Sequence, residues 1–331
     1  MYQMRYRKAT AVITTAATAF ILIFTGSINN STLGSQDNTS SSYSLVAKWG
    51  SKGTGDGQLM FPHSIAVDSL GNVYVTDTGN KRVQKFTADG TFITKWGSEG
   101  TGDGQFMGLH DIAVDPSGNF VYTVELSNHR VQKFDSNGKF ITSWGFEDTG
   151  GRKSSRAPHS IAVDPLGNVY LADKNGGDIL KFDSNGKFLM KWGSKGTADG
   201  QFKRPHGIAF DSSGNVYITD MGNYRVQKFD SNGKFISKIQ GSYGTDNGQF
   251  LKTTPGVAVD SSGNVYVVDK LYPRVQKFDS NGKFITSWGS EGDGDGQFKK
   301  PEDIALDSLG NVYISDTRNS RIQVFAIVDT T

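Results

Sequence analysis

One stretch of sequence recurs six times in this chain, and this repetition limits the fold more than any other feature. Each copy contains Ile-Ala-Val-Asp or a close variant, and its aspartate marks the copy: Asp68, Asp115, Asp164, Asp211, Asp260 and Asp307. The aspartates follow one another at intervals of 47 or 49 residues. A regular period of this length indicates a repeat protein, in which each copy folds as one unit against its neighbours.

Every copy is built from four short runs that favour β-strands. In the first copy these are SIAVD, NVYVTD, RVQKF and TFITKWG, rich in Val, Ile, Phe, Tyr and Thr and bounded by Gly, Asn and Asp. The connections DSLGN and DSNG suit tight hairpins, and the 41 glycines fit many such turns. Four antiparallel strands repeated six times predict an all-β fold, a six-bladed β-propeller.

The two ends of the chain complement each other. The sixth copy stops after its third run, RIQVFAIV, while an unmatched fourth run, SLVAKWG, stands at residues 44–50, before the first copy. Pairing the two would leave no free edge in the ring. We therefore predict that strand 44–50 completes the last blade and that the propeller occupies residues 44–331.

The N-terminus has the layout of an export segment. Residues 1–8 include three basic side chains, and the 17 residues Ala9–Thr25 carry no charge. This pattern predicts a signal peptide or a signal anchor at residues 1–26, followed by a flexible polar linker at 27–43. We expect an extracytoplasmic protein, either secreted or membrane-anchored, whose link to a membrane is this N-terminal segment alone.

Charge and cysteine content exclude some classes of function. The formal net charge is +2, and it comes from residues 1–43, so the predicted propeller is neutral. A neutral domain argues against a nucleic-acid partner. Because the chain has no cysteine, a disulfide framework and a thiol nucleophile are both excluded.

The repeated text resembles a known family. The segments SNHRVQKFD, TGNKRVQKF and PHSIAVD followed by GNVY are similar to NHL repeats, and the similarity covers about residues 44–328. The resemblance implies a six-bladed propeller. It does not fix the function, because this fold carries both binding proteins and enzymes.

A ring of side chains is predicted at one end of the central channel. The first strand of each blade lines the channel of a propeller, so the residue two positions before the Ile of each motif should stand at its mouth. These residues are His63, His110, His159, His206, Pro255 and Glu302. The structural interpretation is that the histidines cap their strands and hydrogen-bond the next blade, and that they recur because the repeat was duplicated.

The functional interpretation of this ring is a metal site. Imidazole and carboxylate groups bind Zn²⁺ and other divalent transition metals. PHSIAVD resembles the metal-binding strand of the peptidyl-α-hydroxyglycine α-amidating lyase propeller, in which alternating blades supply the histidines. That resemblance implies His110, His206 and Glu302 as ligands here, or His63 and His159 without a third. Asp111 and Asp303 would then be acceptors that orient the ligands. Streptogramin-inactivating lyases are similar propellers with a catalytic histidine.

The third copy breaks the pattern. Its first connection reads FEDTGGRKSSRAP, with Arg152, Lys153 and Arg156 on the same face as His159, and we expect them either to bind an anion or to be solvated. Its Asp178 also replaces an arginine that, in the other five copies, follows an acidic residue by five positions. We interpret those five acid–arginine pairs as structural ion pairs between blades.

The sequence is compatible with two functions. The first is a binding scaffold whose channel-mouth face recognises a protein, a peptide or a glycan. The second is a metal-dependent lyase or hydrolase that uses the histidines and Glu302. Nearly identical blades favour the scaffold, because an active site usually breaks the repeat rule in several loops.

Overall fold

The computed structural model of the protein describes residues 42–146, 158–251 and 254–328. These residues form 26 strands: β1(Ser42–Trp49), β2(Pro62–Val67), β3(Val73–Asp77), β4(Arg82–Phe86), β5(Phe92–Trp96), β6(Leu109–Val114), β7(Phe120–Glu125), β8(Arg130–Asp135), β9(Phe140–Gly145), β10(Pro158–Val163), β11(Val169–Asp173), β12(Asp178–Phe182), β13(Phe188–Gly193), β14(Pro205–Phe210), β15(Val216–Asp220), β16(Arg225–Phe229), β17(Phe235–Gln240), β18(Val257–Val259), β19(Val265–Asp269), β20(Arg274–Phe278), β21(Phe284–Trp288), β22(Ser290–Glu291), β23(Gln297–Phe298), β24(Pro301–Leu306), β25(Val312–Asp316) and β26(Arg321–Val328). Three 3₁₀ turns lie at Thr78–Asn80, Met221–Asn223 and Thr317–Asn319. The predicted export segment at residues 1–26 lies outside the described residues.

The strands form six four-stranded antiparallel sheets, one per sequence copy. Blades one to five are β2–β5, β6–β9, β10–β13, β14–β17 and β18–β21, and blade six joins β24, β25 and β26 to β1. The innermost strands contact one another in order around a ring, and β24 contacts β2 to close it. The predicted six-bladed propeller is confirmed. Across the described residues, no helix has the length and hydrophobicity that a membrane span requires.

The repeated aspartate builds the hairpin between the first and second strands. The Asp68 carboxylate accepts the backbone N–H groups of Leu70 at 2.9 Å and Asn72 at 2.8 Å, and the hydroxyl of Tyr74 at 3.1 Å. Gly71 has φ +83°, which favours glycine in the turn. The motif therefore recurs because one carboxylate organises the same turn in each blade.

Each hydrophobic core lies between two blades. One core joins Tyr74 and Val83 of blade one to Phe106, Ile112 and Phe134 of the next repeat, all nearly inaccessible to solvent. The phenylalanine at this junction packs on the next blade, with the ring centroids of Phe106 and Phe134 5.8 Å apart. A single copy cannot bury its own faces, which explains why the repeats require a closed ring.

The N-terminal strand closes the ring as predicted. β1 pairs with β26 from Ser42 opposite Val328 to Trp49 opposite Ile322. The strand begins two residues before the predicted start because Tyr43 stacks on Trp288, with ring centroids 4.0 Å apart.

The acid–arginine pairs lie within a blade, so the predicted position between blades was wrong. The Arg82 Nε donates to Asp77 Oδ2 at 2.7 Å, at the turn between β3 and β4. The same guanidinium donates to the carbonyls of Thr54, Gly55 and Gln58, at 2.7–2.9 Å, in the loop that arrives from β1. The link between blades is thus made through a loop backbone, and the ion pair orients the arginine that holds it.

Blade five carries a weaker version of this contact. The Asp269 carboxylate and the Arg274 guanidinium are 3.9 Å apart, and Asp269 Oδ2 and Arg274 Nε have no hydrogen-bond partner among the described residues. Tyr272 occupies the position of the asparagine that donates to the acid in blade one. Burial raises the pKa of Asp269 to about 6, against the smaller effect of Arg274.

Replacing Asp269 with asparagine is therefore expected to stabilise the protein at pH 8. The folded state binds the Asp269 proton more tightly than the unfolded chain, whose aspartate pKa is about 3.9. Stability is thus lost as the pH rises from about 4 to about 6, and an asparagine side chain escapes this loss because it does not ionise. Urea unfolding should show near-equal stability at pH 4 and a gain of roughly 2–3 kcal/mol at pH 8. A gain of the same size at both pH values would contradict this explanation.

Candidate binding site at the channel mouth

A β-bulge presents each histidine at one end of the central channel. In blade one the ladder pairs Pro62 with Asp77, then shifts register before Ile65. His63 lies inside this irregularity, and the same shift occurs in blades two, three, four and six. Bulges redirect side chains and interrupt pairing, so the repeated sequence Pro-His turns imidazoles toward the channel. We call this end, formed by the predicted ring of six residues, the channel mouth.

The structure brings four of the five histidines into one cluster. Ring centroids are 4.0 Å apart for His63 and His110, and 4.8 Å for His110 and His159. His206 lies 5.7 Å from His110 and 5.6 Å from His159. The sequence prediction that these side chains share one site agrees with this geometry.

Histidines of the cluster hydrogen-bond the backbone of the next blade. The His110 Nδ1 donates to the carbonyl of His159 at 2.7 Å, and an imidazole N–H of His206 donates to the carbonyl of Pro255. These hydrogen bonds are the structural role that the sequence analysis offered for the histidines. The bond to the carbonyl also places the proton of the neutral His110 ring on Nδ1, so that its Nε2 is free to accept a hydrogen bond.

Burial lowers the pKa of three histidines in the cluster. The pKa values of His110 and His206 lie well below the ordinary value, first because the rings are buried and then because other histidines are close. For His206, Lys174 lowers the pKa further. The pKa of His63 is lowered by burial, against the opposing effects of Glu302 and Asp111. At neutral pH the rings of His63, His110 and His206 are therefore uncharged.

Glu302 completes the ring as an ion-paired carboxylate. Its Oε1 accepts a hydrogen bond from Lys270 Nζ, and its Oε2 is 3.9 Å from His63 Nε2. Lys270 and Lys174 follow the acid at the end of the second strand in blades five and three. Sequence reasoning missed both lysines, although they are the two cations at a position that is Thr, Leu or Met in the other blades.

A second layer of polar groups lies directly below the histidines. The Ser64 hydroxyl hydrogen-bonds Asp111 Oδ1 and lies 2.7 Å from Asp303 Oδ2. The single hydroxyl proton lies between two carboxylates, so the pair carries more negative charge than the hydroxyl can compensate. Burial raises the pKa of both acids, and the nearby Asp111 further raises the pKa of Asp303, to about 7.

These two aspartates do not orient imidazoles as the sequence interpretation expected. Asp111 Oδ2 instead accepts the backbone N–H of Ile161 at 2.9 Å, and Asp303 Oδ2 accepts that of Ile65 at 3.1 Å. They hold the innermost strands together across blades. Their buried side chains thus help to make the mouth rigid.

The predicted metal ligands lie together at the channel mouth, but they are not arranged as a metal-coordination site. Within residues 42–146, 158–251 and 254–328, no group of three or more His, Asp or Glu side chains is arranged to hold a metal ion. In the set His110, His206 and Glu302, the carboxylate is engaged by Lys270. In the other set, the third alternating blade supplies Pro255, which offers no ligand beside His63 and His159. A zinc or other transition-metal site stays a prediction.

The predicted basic residues Arg152, Lys153 and Arg156 lie outside the described residues.

The channel itself is a cavity of about 200 Å³, lined by the innermost strands from the histidines to Val67, Val114 and Val163 at its far end. Its only titratable groups among the described lining residues are His63, His110 and His206 with Asp111, Glu302 and Asp303.

Comparison with known proteins agrees with the sequence resemblance. The NHL repeat model matches residues 59–86, 106–134, 202–229 and 298–325, which belong to blades one, two, four and six. The chain carries NHL repeats. Short segments of this NHL propeller are 48% identical over 48 residues to Protein lin-41 of Caenorhabditis elegans and 50% identical over 40 residues to human NHL repeat-containing protein 3. These alignments cover 14% and 12% of this chain, and 4% and 12% of the respective relatives.

Solved structures share the architecture of the NHL propeller. A gluconolactonase from Xanthomonas campestris superposes with a TM-score of 0.58 at 14% identity, over 82% of this chain and 88% of that one. Virginiamycin B lyase from Staphylococcus aureus gives a TM-score of 0.58 at 15% identity, over 87% of this chain and all of that one. At such identities the similarity shows the fold alone.

Proposed function

We propose that this NHL propeller is an exported binding module that recognises a protein, peptide or glycan at its channel mouth. The observation that carries the proposal is the cluster of four histidines on innermost strands of a closed ring, beside the Glu302–Lys270 ion pair. Neutral imidazoles and an ion pair offer hydrogen-bond donors and acceptors at fixed positions. Rigid placement of this kind lowers the entropic cost of binding.

The size of the channel favours a large partner that inserts one small part. Pockets for whole small molecules usually have volumes of roughly 300–1,000 Å³. The channel has a volume of about 200 Å³, and this volume is distributed along its whole length. A chain end, a side chain or one sugar unit fits this space, and the rest of the partner would lie on the surrounding loops.

The metal-dependent lyase or hydrolase remains the second candidate. It is supported by the proximity of His110, His206 and Glu302, and by the chemistry of imidazole ligands. Elemental analysis of the full chain separates the two functions. One equivalent of zinc or another transition metal, lost in both His110→Ala and His206→Ala, would favour the enzyme over the scaffold.

The binding proposal predicts a loss of affinity confined to one face. The purified full chain would be applied to peptide and glycan arrays, and the strongest hit titrated against variants. Glu302→Gln keeps the shape of the side chain but removes the charge that pairs with Lys270, and we expect at least tenfold weaker binding. Leu166→Ser is the matched control, because Leu166 is 86% exposed in a turn at the opposite end of the blades.

Equal loss of affinity in Glu302→Gln and Leu166→Ser would contradict a site at the channel mouth. Arrays without a hit would count against all three proposed ligand classes. Circular dichroism of each variant, with its thermal midpoint, distinguishes lost binding from lost structure.

A further inference from the structure

We propose a second site, beyond the channel mouth, that binds a small phosphate or sulfate ester between blades three and four. A cavity of about 530 Å³ lies there, and we call it the junction pocket. Its charged lining residues are Lys174, Lys195, Lys203 and Arg204. Four cations converge on one concave space, and the described part of its lining includes no carboxylate.

The cations of the junction pocket lack counter-charges. None of the four forms an ion pair with a carboxylate of the described residues. Two acids stand at the base of the same loops, but backbone groups engage them. Asp173 accepts the N–H groups of Asn175 and Gly176 at 3.1 and 2.9 Å, and Asp220 accepts the N–H of Lys203 at 2.7 Å.

Lys174 is the least hydrated of the four. Its side chain is half-buried, and burial lowers its pKa, with further lowering by Arg204 and Lys270 against a smaller opposing effect of the more distant Glu302. A cation held in this way, close to other cations, is stabilised by any anion that enters the pocket. The pocket is therefore electrostatically suited to a ligand that the chain itself does not supply.

The repeat supplies an internal comparison. The positions of Lys174, Lys195, Lys203 and Arg204 correspond, two blades further along, to Lys270, Glu291, Lys299 and Lys300. Those residues line a smaller cavity of about 210 Å³, which we call the twin pocket. The twin pocket contains a carboxylate, Glu291, and its partly buried Lys270 pairs with Glu302.

The two pockets differ at the residues that decide the charge. Glu291 of the twin pocket is replaced by Lys195, and Glu302 by the neutral His206 beside Lys174. Each lining holds four cations, because the twin pocket adds Arg318 where the other blade has Gly222, so the two pockets differ in their carboxylates. If these lysines served only to stabilise the fold, both pockets could keep their acids. The absence of both acids from the junction pocket therefore favours a binding role.

The lining residues point to a tetrahedral oxyanion carried on a small polar molecule. Arginine binds such groups with two parallel hydrogen bonds, and lysines contribute point charges. Thr197 and Asn175 add neutral hydrogen-bonding groups for the remainder of the ligand. The volume lies in the range of small-molecule sites and exceeds what a bare ion would fill.

Calorimetric titration of the full chain tests the junction pocket. The probes are glucose 6-phosphate, glucose 6-sulfate, inorganic phosphate and uncharged glucose. We expect both esters to bind, inorganic phosphate to bind at least tenfold more weakly, and glucose to give no signal. Binding should weaken as salt is added, because the attraction is ionic.

A matched pair of substitutions locates the site. Lys203→Glu reverses a charge in the junction pocket and should weaken ester binding at least tenfold. Lys299→Glu makes the same change at the equivalent exposed position of the twin pocket and should leave the affinity within twofold. Lys195→Glu, which copies the twin pocket, should behave like Lys203→Glu.

Three results would overturn the inference. These are no binding of either ester, equal losses in Lys203→Glu and Lys299→Glu, or inorganic phosphate binding as tightly as the esters. None of the three variants touches the histidine cluster, so such a result would leave the proposal for the channel mouth intact. Conversely, Glu302→Gln should lose affinity for the array ligand while Lys203→Glu keeps it.

Discussion

Replacing Asp77 with alanine is expected to lower the free energy of unfolding by about 3–5 kcal/mol. The Asp77 carboxylate is fully buried and accepts four hydrogen bonds: from Met60 N at 2.6 Å, Arg82 Nε at 2.7 Å, Asn80 Nδ2 at 2.8 Å and Gln84 Nε2 at 3.0 Å. Removing it leaves a buried guanidinium without its counter-charge. An uncompensated buried charge is among the most destabilising changes that one substitution can make.

The loss should extend beyond blade one. Arg82 also holds the carbonyls of Thr54, Gly55 and Gln58, in the loop that joins β1 to β2. Without Asp77 the guanidinium loses the group that orients it, so the loop that links the last blade to the first loses its anchor. Hydrogen exchange should show the largest increase in this loop and in the turn between β3 and β4.

Blade five provides the control for this prediction. Asp269→Ala should cost less than half as much, because at pH 8 it also removes a buried ionised carboxylate, and because that carboxylate is 3.9 Å from Arg274 with one oxygen unpartnered in the described part of the chain. Urea denaturation of both variants at pH 8 measures the difference. Similar losses in the two blades would show that burial alone, and not the hydrogen-bond set, determines the cost.

The architecture could be predicted from the sequence because the same four-stranded unit is encoded by six similar repeats. The regular interval of the aspartates, the four β-type runs in each copy and the displaced strand at residues 44–50 each have one simple structural solution. The position of the histidines followed from the same register, since the residue two before each Ile necessarily lies at one end of an innermost strand. The structure brings His63, His110, His159 and His206 together as this register requires.

The charges around the site could not be predicted in the same way. Lys174 and Lys270 stand in turns, and whether either meets a carboxylate depends on which residue the next blade places opposite it. Blade six offers Glu302 to Lys270, whereas blade four offers His206 to Lys174. The acid–arginine pairs were assigned between blades because the sequence shows the residues but not that Arg82 reaches a loop backbone.

Removal of β1 is expected to abolish cooperative folding. A chain that begins at Gly50 leaves the last blade with three strands and exposes the edge of β26. It also loses Tyr43, Leu45 and Trp49, which pack into the two cores beside blade six. Losing three large, partly buried side chains together with a whole strand should cost at least about 5 kcal/mol, which is comparable to the whole stability of an ordinary domain.

The matched control for this truncation begins at Ser40 and keeps β1; it should unfold in urea at the same concentration as the full chain. Adding a synthetic peptide of residues 42–50 to the shorter chain should restore part of the native circular dichroism, because the missing strand pairs along a single edge. Equal urea midpoints for the two truncated chains would show that the ring is stable while open, and that β1 protects an edge without holding the propeller together.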